Sequence, residues 1–221
     1  MGKFPFKEIA VLTSKRSWFL PYAQDLVEIL KGMGFDSKLF NKHEEIPENY
    51  KVVFILSYFR LIPSDFLSKR KHNLVVHESD LPKGRGWSPL FWQILEGKNE
   101  IPVVLMEATE EMDAGDIYFK DYIILKGHEL HDEIRNKQAK KTKELCLRFV
   151  ENYDNIRPLP QRGKPTYYPK RTPRDSELDI NKSIKDQFNL LRIVDNEEFP
   201  AFFYYRGHKY IIKIFKSKSD I

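Results

Sequence analysis

Val52-Val53-Phe54-Ile55-Leu56 is an unbroken apolar run set between polar segments, too short for a helix face and without the alternation of a half-wet strand. Such a run reads as a strand buried on both faces, the pattern of parallel sheets covered by helices. Ile9 to Thr13 and Leu74-Val75-Val76 read the same way, and Ser37 to Phe40 allows a shorter strand. Between them, the stretch from Pro21 places Ala23, Leu26, Val27 and Leu30 at helical spacing until Gly32 and Gly34 stop it, and Ser64 to Lys69 offers a short helix with a serine cap. Strands alternating with helices predict an α/β fold with a Rossmann-like, mostly parallel open sheet.

Further along, Ser88 as N-cap, Pro89 at the first helical position and Gly97 past the end mark another helix. Ile101 to Met106 and Ile117 to Leu125 read as paired strands joined through Glu107 to Asp116. Glu129 to Tyr153 reads as a long charged helix burying Leu130, Ile134, Leu145 and Phe149. A core domain over residues 1–160 is expected to close there. After Arg157-Pro158-Leu159-Pro160, a segment rich in proline, basic residues and tyrosine runs to Arg174 and should lie across the surface. Residues 161–221 then form a linker and a small subdomain: a helix from Ser183 with Ile184, Phe188 and Leu191, and a β-hairpin of Ala201 to Tyr205 and Tyr210 to Phe215 about Arg206-Gly207-His208.

Hydrophobic residues make up 41% of the 221, enough for one sizeable core, and no apolar run approaches the ~20 residues of a bilayer span. Met1 to Lys7 lacks a secretory apolar region, so the expected location is the cytoplasm, with no membrane partner. Cys146, the single cysteine, cannot form an internal disulfide and reads as a buried thiol. The net charge of +5 comes from cations interleaved with 32 acidic residues, which describes a solvated surface better than a nucleic-acid stripe. An anionic small substrate could use the same excess.

The first strand is followed by Ser14-Lys15-Arg16-Ser17-Trp18, which has no glycine, so the phosphate-cradling loop of dinucleotide enzymes is absent. Ligands of open α/β sheets sit beyond the carboxyl ends of strands, where Ser57 to Pro63, His77 to Trp87 and Glu107 to Asp116 are expected to gather. His77 ends an apolar strand, where an imidazole is either aimed for catalysis or used as a structural hydrogen-bonder. Lys83-Gly84-Arg85-Gly86-Trp87-Ser88-Pro89 supplies two glycines and then a helix start. Met112-Asp113-Ala114-Gly115-Asp116 is a tight acidic turn whose carboxylates either cap it or orient an imidazole. His128 and His131 have no carboxylate and cysteine set beside them that demands a metal, and no metal is expected.

The order His77, Leu81-Pro82, Arg85-Gly86, Pro89, then Asp113-Ala114-Gly115-Asp116 resembles the formyltransferase family that uses 10-formyltetrahydrofolate. Upstream, Val52 to Pro63 looks like that family's strand and folate-contacting loop. Downstream, Thr166-Tyr167-Tyr168-Pro169-Lys170-Arg171-Thr172-Pro173 resembles the segment after the catalytic domain in methionyl-tRNA and sugar formyltransferases. The resemblance implies that an acceptor amine attacks the formyl carbon through a tetrahedral oxyanion. His77 would then be the oxyanion donor and Asp113 the carboxylate that orients it and helps take the amine proton. Phe59, Arg60, Leu61, Ile62, Met106 and Asp113 would hold the folate. The family's motif places an asparagine two residues before the histidine; Val75 stands there, and Asn73, on the same face of an alternating strand, is the candidate replacement or else a solvent-facing amide.

The acceptor that the resemblance implies is a nucleotide-linked 4-amino-4,6-dideoxy sugar, with Trp87, Arg85, Tyr168, Lys170 and Arg171 as its contacts; Tyr168, Lys170 and Arg171 could instead pin the linker onto the core. Another amine, on methionyl-tRNA or glycinamide ribonucleotide, is the alternative, as is a catalytically silent binding module. The aromatic C-terminal hairpin has the composition of a pairing surface, so a homodimer is a further expectation.

Overall fold

The computed structural model describes residues 4–217, so the first three residues of the N-terminal leader reading lie outside it. The chain builds β1 (Glu8–Leu12), α1 (Leu20–Gly32), β2 (Asp36–Phe40), β3 (Val52–Ile55), α2 (Ser64–Ser68), β4 (His72–His77), β5 (Arg85–Gly86), α3 (Pro89–Leu95), β6 (Glu100–Glu107), β7 (Ile117–Ile124) and α4 (His131–Glu151). Then follow β8 (Tyr167–Tyr168), α5 (Phe188–Ile193), β9 (Ala201–Tyr205) and β10 (His208–Ile212). The main sheet has the order β2-β1-β3-β4-β6-β7. Its first four strands are parallel, while β6 and β7 run antiparallel. The α/β expectation of a mostly parallel sheet holds.

Alternation along each strand sends residues to two different layers. On one face, Ile9, Val11, Val52, Phe54, Leu74, Val103 and Leu105 pack with Leu26 and Leu30 of α1, Ile94 of α3 and Leu145, Cys146 and Phe149 of α4. Burial of each such side chain contributes about 1.5–3 kcal/mol. On the other face, Ala10, Leu12, Val53 and Ile55 meet Phe66 of α2. Leu81 covers Val104 and Met106 on that same side, with Val75 touching both groups. The Cys146 thiol is buried, and burial raises its pKa far above the ordinary value.

Several boundaries differ from the sequence reading. Ser64 lies inside α2, with Pro63 at the cap position, and Ser88 holds the cap position of α3 in a left-handed conformation without a side-chain bond. The helix expected from Ser183 begins at Phe188; the Ser183 hydroxyl closes a turn with Asp186 first, and Ile184 is exposed. The hairpin turns on Arg206 and Gly207, and His208 is already in β10. The segment after Pro160 also does more than cross the surface, because β8 pairs in parallel with β5. His131, at the start of α4, packs against the Phe91 ring, 5.6 Å between centroids, and burial lowers its pKa.

Candidate active site

His77 is the last residue of β4, and its side chain is buried. Its Nε2 donates to the Gly84 carbonyl at 2.8 Å, and because a carbonyl only accepts, that nitrogen carries a proton. Nδ1 faces Asp113 Oδ1 at 3.6 Å. The two residues singled out as a catalytic pair are therefore neighbours, 36 positions apart in sequence.

Asp113 reaches His77 by an indirect route. In the antiparallel register His77 stands opposite Val104 and Leu74 opposite Glu107, so β6 ends at the amino end of β4. Glu107 to Asp116 thus does not leave from the carboxyl edge shared by the parallel strands, as the sequence reading expected. It starts from the opposite edge and must return across the sheet face. The return begins with the Ala108 N–H donating to Asn73 O at 2.6 Å and ends with the Glu107 N–H donating to Asp116 O at 2.9 Å. Gly115 permits the closure, since a Cβ there would fall on the Glu107 carbonyl oxygen. At the crest, Asp113 adopts a left-handed φ of 53°.

Three further residues hold that crest, Gly86, Arg85 and Gln161. The Gly86 N–H donates to Asp113 Oδ2 at 2.8 Å. Arg85 sends Nη1 to Glu111 Oε1 at 2.5 Å and Nη2 to Gln161 Oε1 at 3.0 Å. Gln161 Nε2 donates to Asp113 O at 2.8 Å and to Gly115 O at 2.9 Å. Sequence reasoning missed Gln161 and Glu111, since neither periodicity nor a motif marks residues whose only signal is a long-range hydrogen bond. It also passed over Glu78, whose carboxyl burial raises above its ordinary value and which accepts from Gln138 Nε2 at 2.7 Å.

Asn73 is not brought to His77. It lies at the other end of β4, about 13 Å away along the strand, and its Nδ2 donates to Leu67 O at 3.0 Å. The alternation argument gives the correct face but says nothing about the end. It is also no solvent-facing amide, being 3% exposed. Instead it floors a cleft of about 570 Å³ between Ser64, Leu67 and Ser68 of α2 and the Ala108 to Glu110 segment. Met106, on the same sheet face, is buried beneath Val75 and Leu81. Of the expected pterin residues, Ile62 packs onto the α2 side, Phe59 and Leu61 are exposed, and Arg60 is paired with Glu44.

The residues proposed to contact the acceptor are mostly engaged within the chain. Arg85 is buried under its Glu111 and Gln161 contacts. Tyr168 donates to Glu96 Oε1 at 2.7 Å and stacks on Trp92, and burial together with that carboxylate raises its pKa. Lys170 lies 5.1 Å over the Trp87 ring, and Arg171 donates to Asp175 O at 3.2 Å with its guanidinium 6.0 Å over Phe91. Of the two roles open to Tyr168, Lys170 and Arg171, the contacts seen are those that pin the linker to the core. Among the described residues there is no group of three or more histidine, cysteine, aspartate or glutamate side chains that could hold a metal ion. Nor, among them, is any helix long and apolar enough to cross a membrane.

His77 at a strand end, facing the Asp113 carboxylate carried by a returning loop of an α/β sheet, is an arrangement of groups able to move protons. The formyl transferase family model matches residues 30–150, and the chain belongs to that family. It is 30% identical over 153 residues to the methionyl-tRNA formyltransferase of Francisella philomiragia, an alignment covering 66% of this chain and 49% of that protein. The chain thus spans about half the length of the curated relatives it matches. Among solved structures, the methionyl-tRNA formyltransferase from Clostridium thermocellum superposes with a TM-score of 0.79 at 22% identity, covering 96% of this chain and 94% of that one. A sugar N-formyltransferase from Shewanella sp gives 0.71 at 16% identity, covering 96% and 99%. These two likenesses establish the fold.

Proposed function

We propose that this chain transfers a formyl group from 10-formyltetrahydrofolate to the amino group of a nucleotide-linked 4-amino-4,6-dideoxy sugar. The observation that carries the reading is the His77 and Asp113 pair, brought together at the end of β4 from 36 positions apart in sequence. The cleft of about 570 Å³ floored by Asn73 lies at the other end of β4, and neither His77 nor Asp113 lines it. Phe59, Arg60, Leu61 and Ile62, on the loop leading into α2, are the proposed contacts to the donor.

The donor supplies a formyl carbon on a nitrogen leaving group, and the remaining tasks fall to the protein. His77 Nε2 already carries a proton and donates it to the oxygen that gains charge, exchanging the Gly84 carbonyl for that oxygen. Asp113 orients the imidazole and accepts the amine proton through water, and a proton returned to the folate nitrogen lets the C–N bond break so that tetrahydrofolate leaves as a neutral amine. Val75 contributes no donor, which leaves His77 as the side-chain donor of this site. No divalent metal takes part; loss of transfer on chelation, restored by one metal, would count against the reading.

A small amino sugar is favoured over tRNA because many surface cations are paired off, as in Lys31 with Glu28, Lys98 with Glu96, Lys120 with Asp80 and Lys143 with Asp25. A phosphate backbone needs a continuous basic stripe. The second reading, transfer to methionyl-tRNA, draws on the names of the curated relatives. A panel of amines incubated with 10-formyltetrahydrofolate separates the two. Formylation of a nucleotide-linked 4-amino sugar with methionyl-tRNA untouched supports the first; the reverse pattern overturns it.

A further inference from the structure

We infer that Gln161 is a positioning residue for the His77 and Asp113 pair, so that the catalytic unit includes the segment from residue 161 to 168. The inference builds on the formyl-transfer reading only for its kinetic test. Asp113 sits in a left-handed conformation, which costs a non-glycine residue energy and persists only where the surroundings over-determine it. The carboxylate is held from β5 by Gly86, while the Asp113 carbonyl and that of Gly115 just beyond it are held from the linker by Gln161.

The orientation of the Gln161 amide is set by chemistry. Arginine has no acceptor, so the group facing Arg85 Nη2 must be the oxygen, and the –NH2 must then face the carbonyls of Asp113 and Gly115. Arg85 is fixed in turn by Glu111, which belongs to the same returning loop. Backbone pairing brings the linker into place: the Arg85 N–H donates to Thr166 O at 2.9 Å, the Trp87 N–H to Tyr168 O at 3.1 Å and the Gly84 N–H to Thr166 Oγ1 at 2.9 Å. The loop carrying Asp113, β5 and the linker thus form a closed circuit with Gln161 at the junction. Gln161 lies outside residues 30–150, the span matched by the family model.

Gln161→Glu keeps the shape and the acceptor for Arg85 but removes both N–H groups and sets a carboxylate against two carbonyls. Expected is a fall in kcat of about 100-fold, the scale of a 1 Å misplacement, with KM for both substrates within about 2-fold. Gln161→Met, isosteric and without hydrogen bonds, should show the same kcat-against-KM split if the charged variant does not fold. A second readout needs no turnover: the ¹⁵N resonances of His77 followed through a pH titration. In either variant they should move away from wild type in the direction seen for Asp113→Asn. If both kcat and the His77 resonances stay at wild-type values in a folded variant, the positioning role is overturned. If wild type formylates no amine, the formyl-transfer reading fails, and the His77 resonances still decide the role of Gln161.

Discussion

The two nitrogens of His77 face different partners, a backbone carbonyl and a carboxylate, so removing the imidazole and removing the carboxylate have separable consequences. His77→Ala and Asp113→Ala should each reduce turnover by at least ~100-fold, the scale of losing an oxyanion donor or acid–base partner, with binding of both substrates retained by calorimetry. Asp116→Ala is the control; Asp116 supplies a backbone carbonyl to Glu107 that survives the change. Equal damage from Asp116→Ala, or near-normal turnover in His77→Ala, would count against the pair. Asn73→Ala should leave turnover largely intact and lower Tm by a few degrees, because its amide ties Leu67 to β4 far from His77 and such a bond contributes about 1 kcal/mol. His77 and Asp113 were legible in the sequence because their order resembles the formyltransferase motif, whereas the strand end and the acidic glycine turn alone left a structural role open. Asn73 was misplaced because side-chain alternation fixes a face while leaving position along the strand open. Gln161 was invisible because it acts only through contacts with Arg85, Asp113 and Gly115, all more than 40 residues away.

At the scale of elements, the apolar runs were enough to find β1, β3 and β4, helical spacing found α1 and α4, and the punctuation at Pro89 and Gly97 found α3. The direction of β6 was not legible, since a buried run reads alike in both directions; only pairing with β4 decides it. The β5–β8 pair was equally hidden, because two-residue strands have no periodicity to read. That small pair offers a clean test of how far the linker supports the site. Gly86 has φ 100°, and a Cβ on it would fall on the Tyr168 carbonyl oxygen, so Gly86→Ala must part β8 from β5. The main sheet lies elsewhere and should survive. Expected are a native-like circular dichroism spectrum, proteolysis appearing near Arg162 and Lys164, and turnover reduced to the level of the Gln161 variants. Unchanged proteolysis with full activity would mean that the linker does not depend on this pairing.

For the molecule as a whole, the question is what joins the C-terminal helix and hairpin to the sheet. Arg192 of α5 is fully buried, donating Nε to Glu129 O at 3.0 Å, Nη2 to Glu129 Oε2 at 3.1 Å and Nη1 to Asn99 Oδ1 at 2.9 Å. Glu129 also accepts from the backbone N–H of Lys126 and from Lys137 Nζ, at 2.8 and 2.9 Å. Burial acts to raise the Glu129 carboxyl, but Lys137 and the Lys126 amide outweigh it and hold the pKa at about 2 against an ordinary 4.5. A carboxyl depressed on folding stabilises the folded state fully above its unfolded value and loses that contribution as protons bind. The appendage should therefore be firmly docked at neutral pH and loosen as pH falls from 4.5 toward 2. Glu129→Gln leaves the Arg192 guanidinium buried without its counter-charge, a change that typically costs about 3–5 kcal/mol. At neutral pH its Tm should drop by roughly 6–20 °C, given about 2–4 °C per kcal/mol for a chain of this size. The acid limb of Tm against pH should also be shallower in the variant, because the titrating group is gone. Melting curves from pH 2.5 to 7 for both proteins measure the two effects together. An acid limb in Glu129→Gln as steep as in wild type would show that other carboxylates govern acid unfolding and that this ion pair is not what docks α5.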